Sequence, residues 1–251
     1  MTFQRQNILS ALPPITKYLL LINIALYVIT WLLQIKGIDL GFILGIFPPQ
    51  SPYFKPFQVI THMFMHGSFT HLFFNMFALY MFGSILERVW GSQRFFIYYF
   101  VTGFGAAAIN MLVQYIRIKH SLIEVNAISP DAYQMILDNG LTTLQLGKNY
   151  IGELGNLNLL LHIPTVGASG AIYGLMLAFA MYFPNAPMYI MFIPIPIKAK
   201  WLLIGFFIIE LGLGFINSES DHVAHFAHLG GMLFGLIFIF IWKQKSINRW
   251  N

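Results

Sequence analysis

Gly167-Ala168-Ser169-Gly170-Ala171-Ile172-Tyr173-Gly174 and His228-Leu229-Gly230-Gly231-Met232-Leu233-Phe234-Gly235 are the two stretches on which the reading of this chain turns. Both are apolar and place small residues four apart. Membrane helices with that spacing can approach until their backbones touch. A serine on one and an imidazole on the other can then meet at hydrogen-bond distance inside a bilayer. A nucleophile beside a base is the core of a hydrolase.

The composition agrees with lipid as the main solvent. The 251 residues are 57% hydrophobic and 9% charged, with mean hydropathy +0.68, whereas soluble domains carry about 25% charged residues. Six apolar segments read as membrane spans: residues 18–35, 72–86, 95–116, 169–183, 201–217 and 223–242. The expected fold is an all-α, six-span bundle forming one membrane domain over residues 1–251. The first span has too long an apolar run for a signal-peptide core, and no cleavage-site pattern follows it, so it is read as a retained helix.

With six spans, Arg5, Lys17, Arg88, Arg94, Lys198, Lys200, Lys243, Lys245 and Arg249 share one side, and Lys36, Lys55, Arg117, Lys119 and Lys148 the other. Nine against five puts both termini in the cytoplasm. The net charge of +5 expresses this bias and gives no ground for nucleic-acid binding. The chain has no cysteine, which excludes disulfide and thiol chemistry.

Two segments between the spans are long. Residues 36–69 are rich in Pro, Phe and Ile and cannot cross the bilayer with prolines exposed to lipid. They are expected to lie in the interface as broken, partly helical structure. Residues 119–166 form a polar insertion on the outer side, with a short amphipathic helix expected at 130–139 and ended by Gly140. The Ser169 span is short, because Pro184 and Pro187 stop it. As a helix it is about 22 Å long against a hydrocarbon core of about 30 Å. With its proline end at the inner surface, Ser169 lies below the outer one. Its first N–H groups then lack intrahelical partners and must line a hydrated cavity enclosed by protein. With the positive end of the helix dipole, they suit an oxyanion.

Polar residues within the apolar segments supply the remaining candidates. His71 and Asn75 are four apart, on one helix face, at about the depth of Ser169. They can donate to charge developing on a carbonyl oxygen, or bond neighbouring backbone and tie helices together. His222, His225 and His228 recur every three residues, and His62, His66 and His71 form a second group. A metal site is conceivable there, yet the His-Glu-x-x-His pattern is absent and Asp221 is the one carboxylate within the clusters. His228 is the deepest and leads into Gly231 and Gly235, so it is the expected base, with His222 and His225 at the rim. A third, carboxylate member would orient such a base. Asp221 is two turns away, about 10 Å along a helix, and Glu210 in the fifth span stays open. The cost of an ionised carboxylate at that depth favours a Ser–His pair alone. Tyr173, one turn beyond Ser169, can pack under the imidazole, although spacing by itself favours ordinary aromatic packing. Glu87, closing the second span, is expected to bond backbone donors or Arg88 in a structural role.

Together, His66…His71-x-x-x-Asn75, Gly83-x-x-x-Glu87-x-x-x-Gly91, Gly167-Ala168-Ser169-Gly170 with Tyr173, and His228-x-x-Gly231-x-x-x-Gly235 resemble, in order and context, the rhomboid intramembrane serine proteases. The resemblance covers residues 57–242. It implies a rhomboid-like bundle in which 36–69 is the membrane-lying first outer loop. Ser169 would be the nucleophile and His228 its general base, a dyad with no metal or cofactor. His71, Asn75 and the Ser169 N–H would form the oxyanion hole. Tyr173 would stack on the base, and Gly231 and Gly235 would let the last helix pack on the serine helix. Implied substrates are transmembrane proteins cleaved near the outer face.

The chain departs from the family pattern twice. Phe57-Gln58 stands where many members carry Trp-Arg, and the 119–166 insertion is longer than in minimal bacterial members, as a cover for the outer opening or a partner site. The rival reading is a rhomboid-like binder or escort of membrane clients, but such relatives generally lack the nucleophile or the base. A transporter would want paired charges at mid-membrane, for which Glu210 and Asn23 are the only hints. Small size and the lack of an organelle-targeting segment point to a bacterial inner membrane. The sequence sets neither the substrate nor the oligomeric state.

Overall fold

The computed structural model describes residues 12–189, 195–216 and 223–247, so Asp221 and His222 lie outside the described residues. Pro14 opens α1 (Pro14–Gln34), at a position where its missing N–H costs nothing. The next connection carries α2 (Leu40–Leu44), α3 (Gln58–Thr61) and a 3-10 turn at His62–Phe64. The second span is a run of 22 residues built from α4 (Phe69–Ala78), one π turn (Leu79–Gly83) and α5 (Ser84–Trp90). There follow α6 (Ser92–Ile128), α7 (Ala132–Gln145), α8 (Glu153–His162), α9 (Ser169–Tyr182), β1 (Pro187–Tyr189), β2 (Pro196–Lys198), α10 (Ala199–Ile216) and α11 (His225–Ile247). Among the described residues the elements are helical except for the antiparallel pair β1–β2, which the sequence reading did not foresee. Among the described residues, five helices are long and apolar enough to cross a membrane. The expected sixth span is α9, whose 14 residues make it only about 21 Å long.

The third span runs much further than expected. α6 has 37 residues, about 55 Å of helix, because nothing between 117 and 128 breaks it; the first stop is Ser129-Pro130. Its tail leaves the bundle and packs with α7 and α8 around Ile118, Val125, Ile136, Leu157 and Leu161, all fully or almost fully buried. Residues 119–166, expected as an insertion, are therefore a helical unit with its own small core. α7 also continues through Gly140, the expected terminator, to Gln145. A Cβ at Gly140 would fall 2.0 Å from Asn158 Oδ1, so this glycine serves the close approach of α8.

The 36–69 connection is broken and partly helical, as expected. Gln58 holds it. This buried side chain donates from Nε2 to the carbonyls of Ile43 (3.2 Å) and Tyr53 (3.1 Å), and its Oε1 accepts from Lys55 N–H at 3.0 Å. The departure from the Trp-Arg pair thus leaves the loop tied by one amide. The loop is stitched to the start of the serine helix. Ile46 exchanges two backbone hydrogen bonds with Thr165 (2.9 and 2.8 Å), and Gly167 N–H donates to His62 O at 2.9 Å.

Glu87 is almost fully buried and sits over the first turn of α1. Its Oε2 accepts from Thr16 N–H (2.7 Å) and Oγ1 (2.8 Å), and its Oε1 from Ile15 N–H (2.9 Å) and Ser92 Oγ (2.7 Å). A carboxylate there satisfies orphan donors and faces the positive end of the helix. Its role is structural, with α1 rather than its own helix end as partner.

The centre of the bundle is α9, packed between α6 and α11. The approach is a backbone contact: a Cβ built on Gly231 would lie 1.9 Å from Gly170 O, and one on Gly235 would lie 2.4 Å from Tyr98 Oη. That hydroxyl in turn donates to Gly174 O at 2.9 Å. Gly231→Ala must push α11 off α9, and overpacking of this kind costs about 1–3 kcal/mol. It should lower the thermal midpoint of the purified protein in detergent. Gly212→Ala, where a Cβ meets nothing within 4 Å, should leave the midpoint unchanged. Equal behaviour of the two variants would refute the close-contact account.

Two loop histidines give an acid limb to stability. Burial lowers His62 to about 4, against the opposing hydrogen bond of its Nδ1 with Gln58 O at 2.8 Å, and burial with His71 nearby lowers His66 to about 3. The unfolded chain binds these protons around the ordinary histidine value of 6.5. Unfolding therefore takes up protons below that pH, and stability falls as pH drops from about 6.5 towards 4 and 3. The thermal midpoint should be level above about pH 7 and decline through this acid window. A midpoint insensitive to acid would contradict it.

Candidate active site

Ser169 is the first residue of α9, and Ala168 before it supplies no side-chain cap. The leading N–H groups of the helix are therefore free of any capping side chain, as its short span leads one to expect. Gly167 turns the chain into the helix at φ 127°, a backbone shape that favours glycine. A Cβ at Gly167 would lie 2.8 Å from the His71 ring and 3.7 Å from Asn75 Nδ2, so the turn lies directly against both side chains. Asn75 is buried, and its Nδ2 donor has no partner among the described residues. The four-residue spacing of His71 and Asn75 on α4 thus brings them to the mouth of α9.

On α11, His228 Nε2 lies 2.8 Å from Ser169 Oγ. The Tyr173 ring stacks on the imidazole with centroids 4.1 Å apart and planes 9° from parallel. This is the stacking the resemblance implies and not the ordinary packing that spacing alone favours. Ser169, His228, His71, Asn75 and Tyr173 therefore gather at one place. They line a cavity of about 1100 Å³ that continues between the tail of α6 and α8, past Gln114, Arg117 and Glu153. Its walls are of mixed character, with polar side chains among a larger apolar lining, and its volume is ample for water.

Two further residues join the cluster. Glu210 on α10 is 6% exposed. Its Oε2 lies 2.7 Å from His225 Nδ1 and 2.8 Å from His228 Nδ1, and its Oε1 accepts from the Tyr173 hydroxyl. The approach to His225 meets hydrogen-bond geometry. The one to His228 is equally close but lies off the hydrogen-bond line, so it acts as a charge–dipole contact. His225, expected at the rim, is 8% exposed, because the first turn of α11 faces α10. The signal for Glu210 was present in the sequence: it is the single acidic residue of an otherwise apolar helix, and carboxylates at membrane depth default to function.

Glu210, His225 and His228 also offer three ligand atoms within 4.8 Å of one another, the one such group among the described residues. Their nitrogen–oxygen separations of 2.7 and 2.8 Å are those of groups in direct polar contact, whereas ligands on a tetrahedral zinc sit about 3.3 Å apart. In this conformation the trio is a hydrogen-bonded and charge-paired group. Of the other histidines, His62 is engaged by Gln58 O, and His66 packs edge-on against His71 with centroids 5.0 Å apart.

Comparison with known proteins gives the same picture. A family model described as Rhomboid domain matches residues 53–121 and 132–245. Rhomboid-like protein 11, chloroplastic, of Arabidopsis thaliana is 24% identical over 244 residues, covering 89% of this chain and 64% of that protein. An uncharacterized mitochondrial rhomboid protein of Schizosaccharomyces pombe is 26% identical, covering 75% and 52%. Rhomboid protease AarA of Providencia stuartii is 27% identical over 185 residues, covering 70% and 52%. The chain thus spans between half and two-thirds of the length of these relatives. Two of the three are named for organelles, so they lend no support to the expected bacterial inner membrane. What stands is an integral membrane protein. With a family model matched over most of its length and the family's motifs drawn together on α4, α9 and α11, the chain belongs to the rhomboid family.

Proposed function

We propose that this chain is an intramembrane serine endopeptidase that cleaves transmembrane proteins near the outer face of the membrane. The observation that carries the reading is the 2.8 Å contact between Ser169 Oγ and His228 Nε2, placed on a large cavity at an uncapped helix start. A hydroxyl is a weak nucleophile until a base takes its proton. Ser169 Oγ attacks the substrate carbonyl carbon as its proton passes to His228 Nε2. The oxyanion accepts hydrogen bonds from His71, Asn75 and the Ser169 N–H, donors already in place before the reaction. His228 returns the proton to the leaving amine, the C–N bond breaks and an acyl-enzyme remains. Water from the cavity, deprotonated by His228, then releases the acid and restores Ser169. No step calls for a metal or cofactor.

In this reading residues 1–251 act as one membrane domain, with α7 and α8 as an outer addition walling the cavity. The termini lie in the cytoplasm, following the nine-to-five distribution of basic residues. The unpartnered Asn75 Nδ2 supports the oxyanion assignment, since a buried donor left unpaired in the resting state costs about 1–3 kcal/mol and is suited to a guest oxygen.

Ser169→Ala and His228→Ala should abolish cleavage of a fluorogenic transmembrane peptide by the purified protein, with the thermal midpoint kept near wild type. A fluorophosphonate probe should label Ser169 in the wild type alone. No labelling of wild-type protein would favour a non-proteolytic binder of membrane clients. Asn75→Ala should lower kcat on the order of 10²-fold with little change in KM, as loss of one oxyanion donor does, and His71→Ala should act in the same direction. An unchanged kcat in both would remove them from the oxyanion hole.

A further inference from the structure

We propose that Glu210 is the positioning residue of this site, a carboxylate that completes a Ser169–His228–Glu210 relay together with His225 and Tyr173. The proposal rests on the serine-peptidase reading above. A carboxylate on an apolar span is costly unless donors surround it. Here three converge on Glu210: the Tyr173 hydroxyl on Oε1, and the Nδ1 atoms of His225 (2.7 Å) and His228 (2.8 Å) on Oε2. An ionised carboxylate only accepts, so both Nδ1 atoms carry hydrogen. A lone pair on His228 Nδ1 would instead face the oxygen's lone pairs at 2.8 Å. That assignment leaves the Nε2 lone pair directed at Ser169 Oγ, the tautomer that a general base needs. The opposite tautomer would present N–H to the hydroxyl and could take no proton.

The group closes on itself. Tyr173 sits one turn beyond Ser169 on α9; its ring lies under the His228 imidazole, and its hydroxyl holds the acid that orients the same imidazole. Three helices, α9, α10 and α11, are thereby coupled at the reacting atoms. One turn further along α10, Arg117 Nη2 from α6 donates to Gly214 O at 2.8 Å and holds that end of the helix in place. When Ser169 gives its proton to Nε2, the imidazolium keeps Nδ1–H, and Glu210 stays unprotonated as its counter-charge. Such a pair is worth more in a low-dielectric interior than in water.

The test uses the full chain in detergent, a fluorescence-quenched transmembrane peptide and the rate of fluorophosphonate labelling. Glu210→Gln keeps the shape but offers an amide N–H₂ towards Nδ1, which favours the wrong tautomer. Replacing a triad carboxylate by its amide elsewhere costs about 10⁴-fold in kcat. The bent geometry at His228 points to a smaller loss here, on the order of 10²-fold, with KM unchanged and labelling slowed in parallel. Glu210→Asp should recover part of this loss. Tyr173→Phe, which keeps the ring stack and removes only the hydroxyl, should give an intermediate fall and remains informative if Glu210 variants do not fold. Wild-type kcat and labelling in Glu210→Gln or Tyr173→Phe would overturn the proposal. So would an Asp variant no better than the Gln variant, or activity removed by a chelator and restored by zinc. A wild-type chain that neither cleaves nor labels would instead sink the peptidase reading, and this proposal with it.

Discussion

The contact of Gly231 on α11 with the Gly170 backbone on α9 is the constraint on which the site depends. A side chain at Gly231 would push α11 away from α9 and draw His228 off Ser169, whereas one at Gly170 would strike Ala106 on α6. Lipid gives no hydrophobic drive for helices to associate, so close packing and hydrogen bonding must supply it. Tyr98 adds to the contact by filling the space that Gly235 leaves and bonding the Gly174 carbonyl. The same packing that stabilises the bundle therefore sets the distance between Ser169 and His228.

Several polar groups buried within the bundle hold its elements together. Glu87 satisfies the start of α1, Gln58 ties the first loop, and Glu210 gathers three donors. Asn75 is the contrast, a buried amide whose donor is left unspent beside the nucleophile. In the proposed mechanism that donor is one of those offered to the substrate oxyanion. The cavity leads from that point between α6 and α8, so the extended third span and its attached helices shape the approach as well as adding mass.

The fold was largely legible in the sequence because membrane helices announce themselves locally. Apolar length located the spans, and Pro184 with Pro187 shortened the serine helix. Helix-forming residues after Ile116, misread as a boundary, carried α6 on to Ser129. Gly140 was misread for a related reason: a glycine that ends a helix and one that admits a neighbour look alike until the neighbour, here Asn158 on α8, is in place.

The site divides along the same line. Ser169, His228, His71, Asn75 and Tyr173 stand in short motifs whose spacing is kept by the helix on which each lies, so sequence alone determined which residues face the same way. It could not determine what Glu210 faces, since that depends on how α10 rotates against α9 and α11. It placed His225 at the rim because depth was counted along one helix, without the partner helix that covers it. Periodicity is a property of one segment and can be read from its residues. A carboxylate shared by a tyrosine and two histidines from other helices is a property of three helices packed together, and only the tertiary structure decided it.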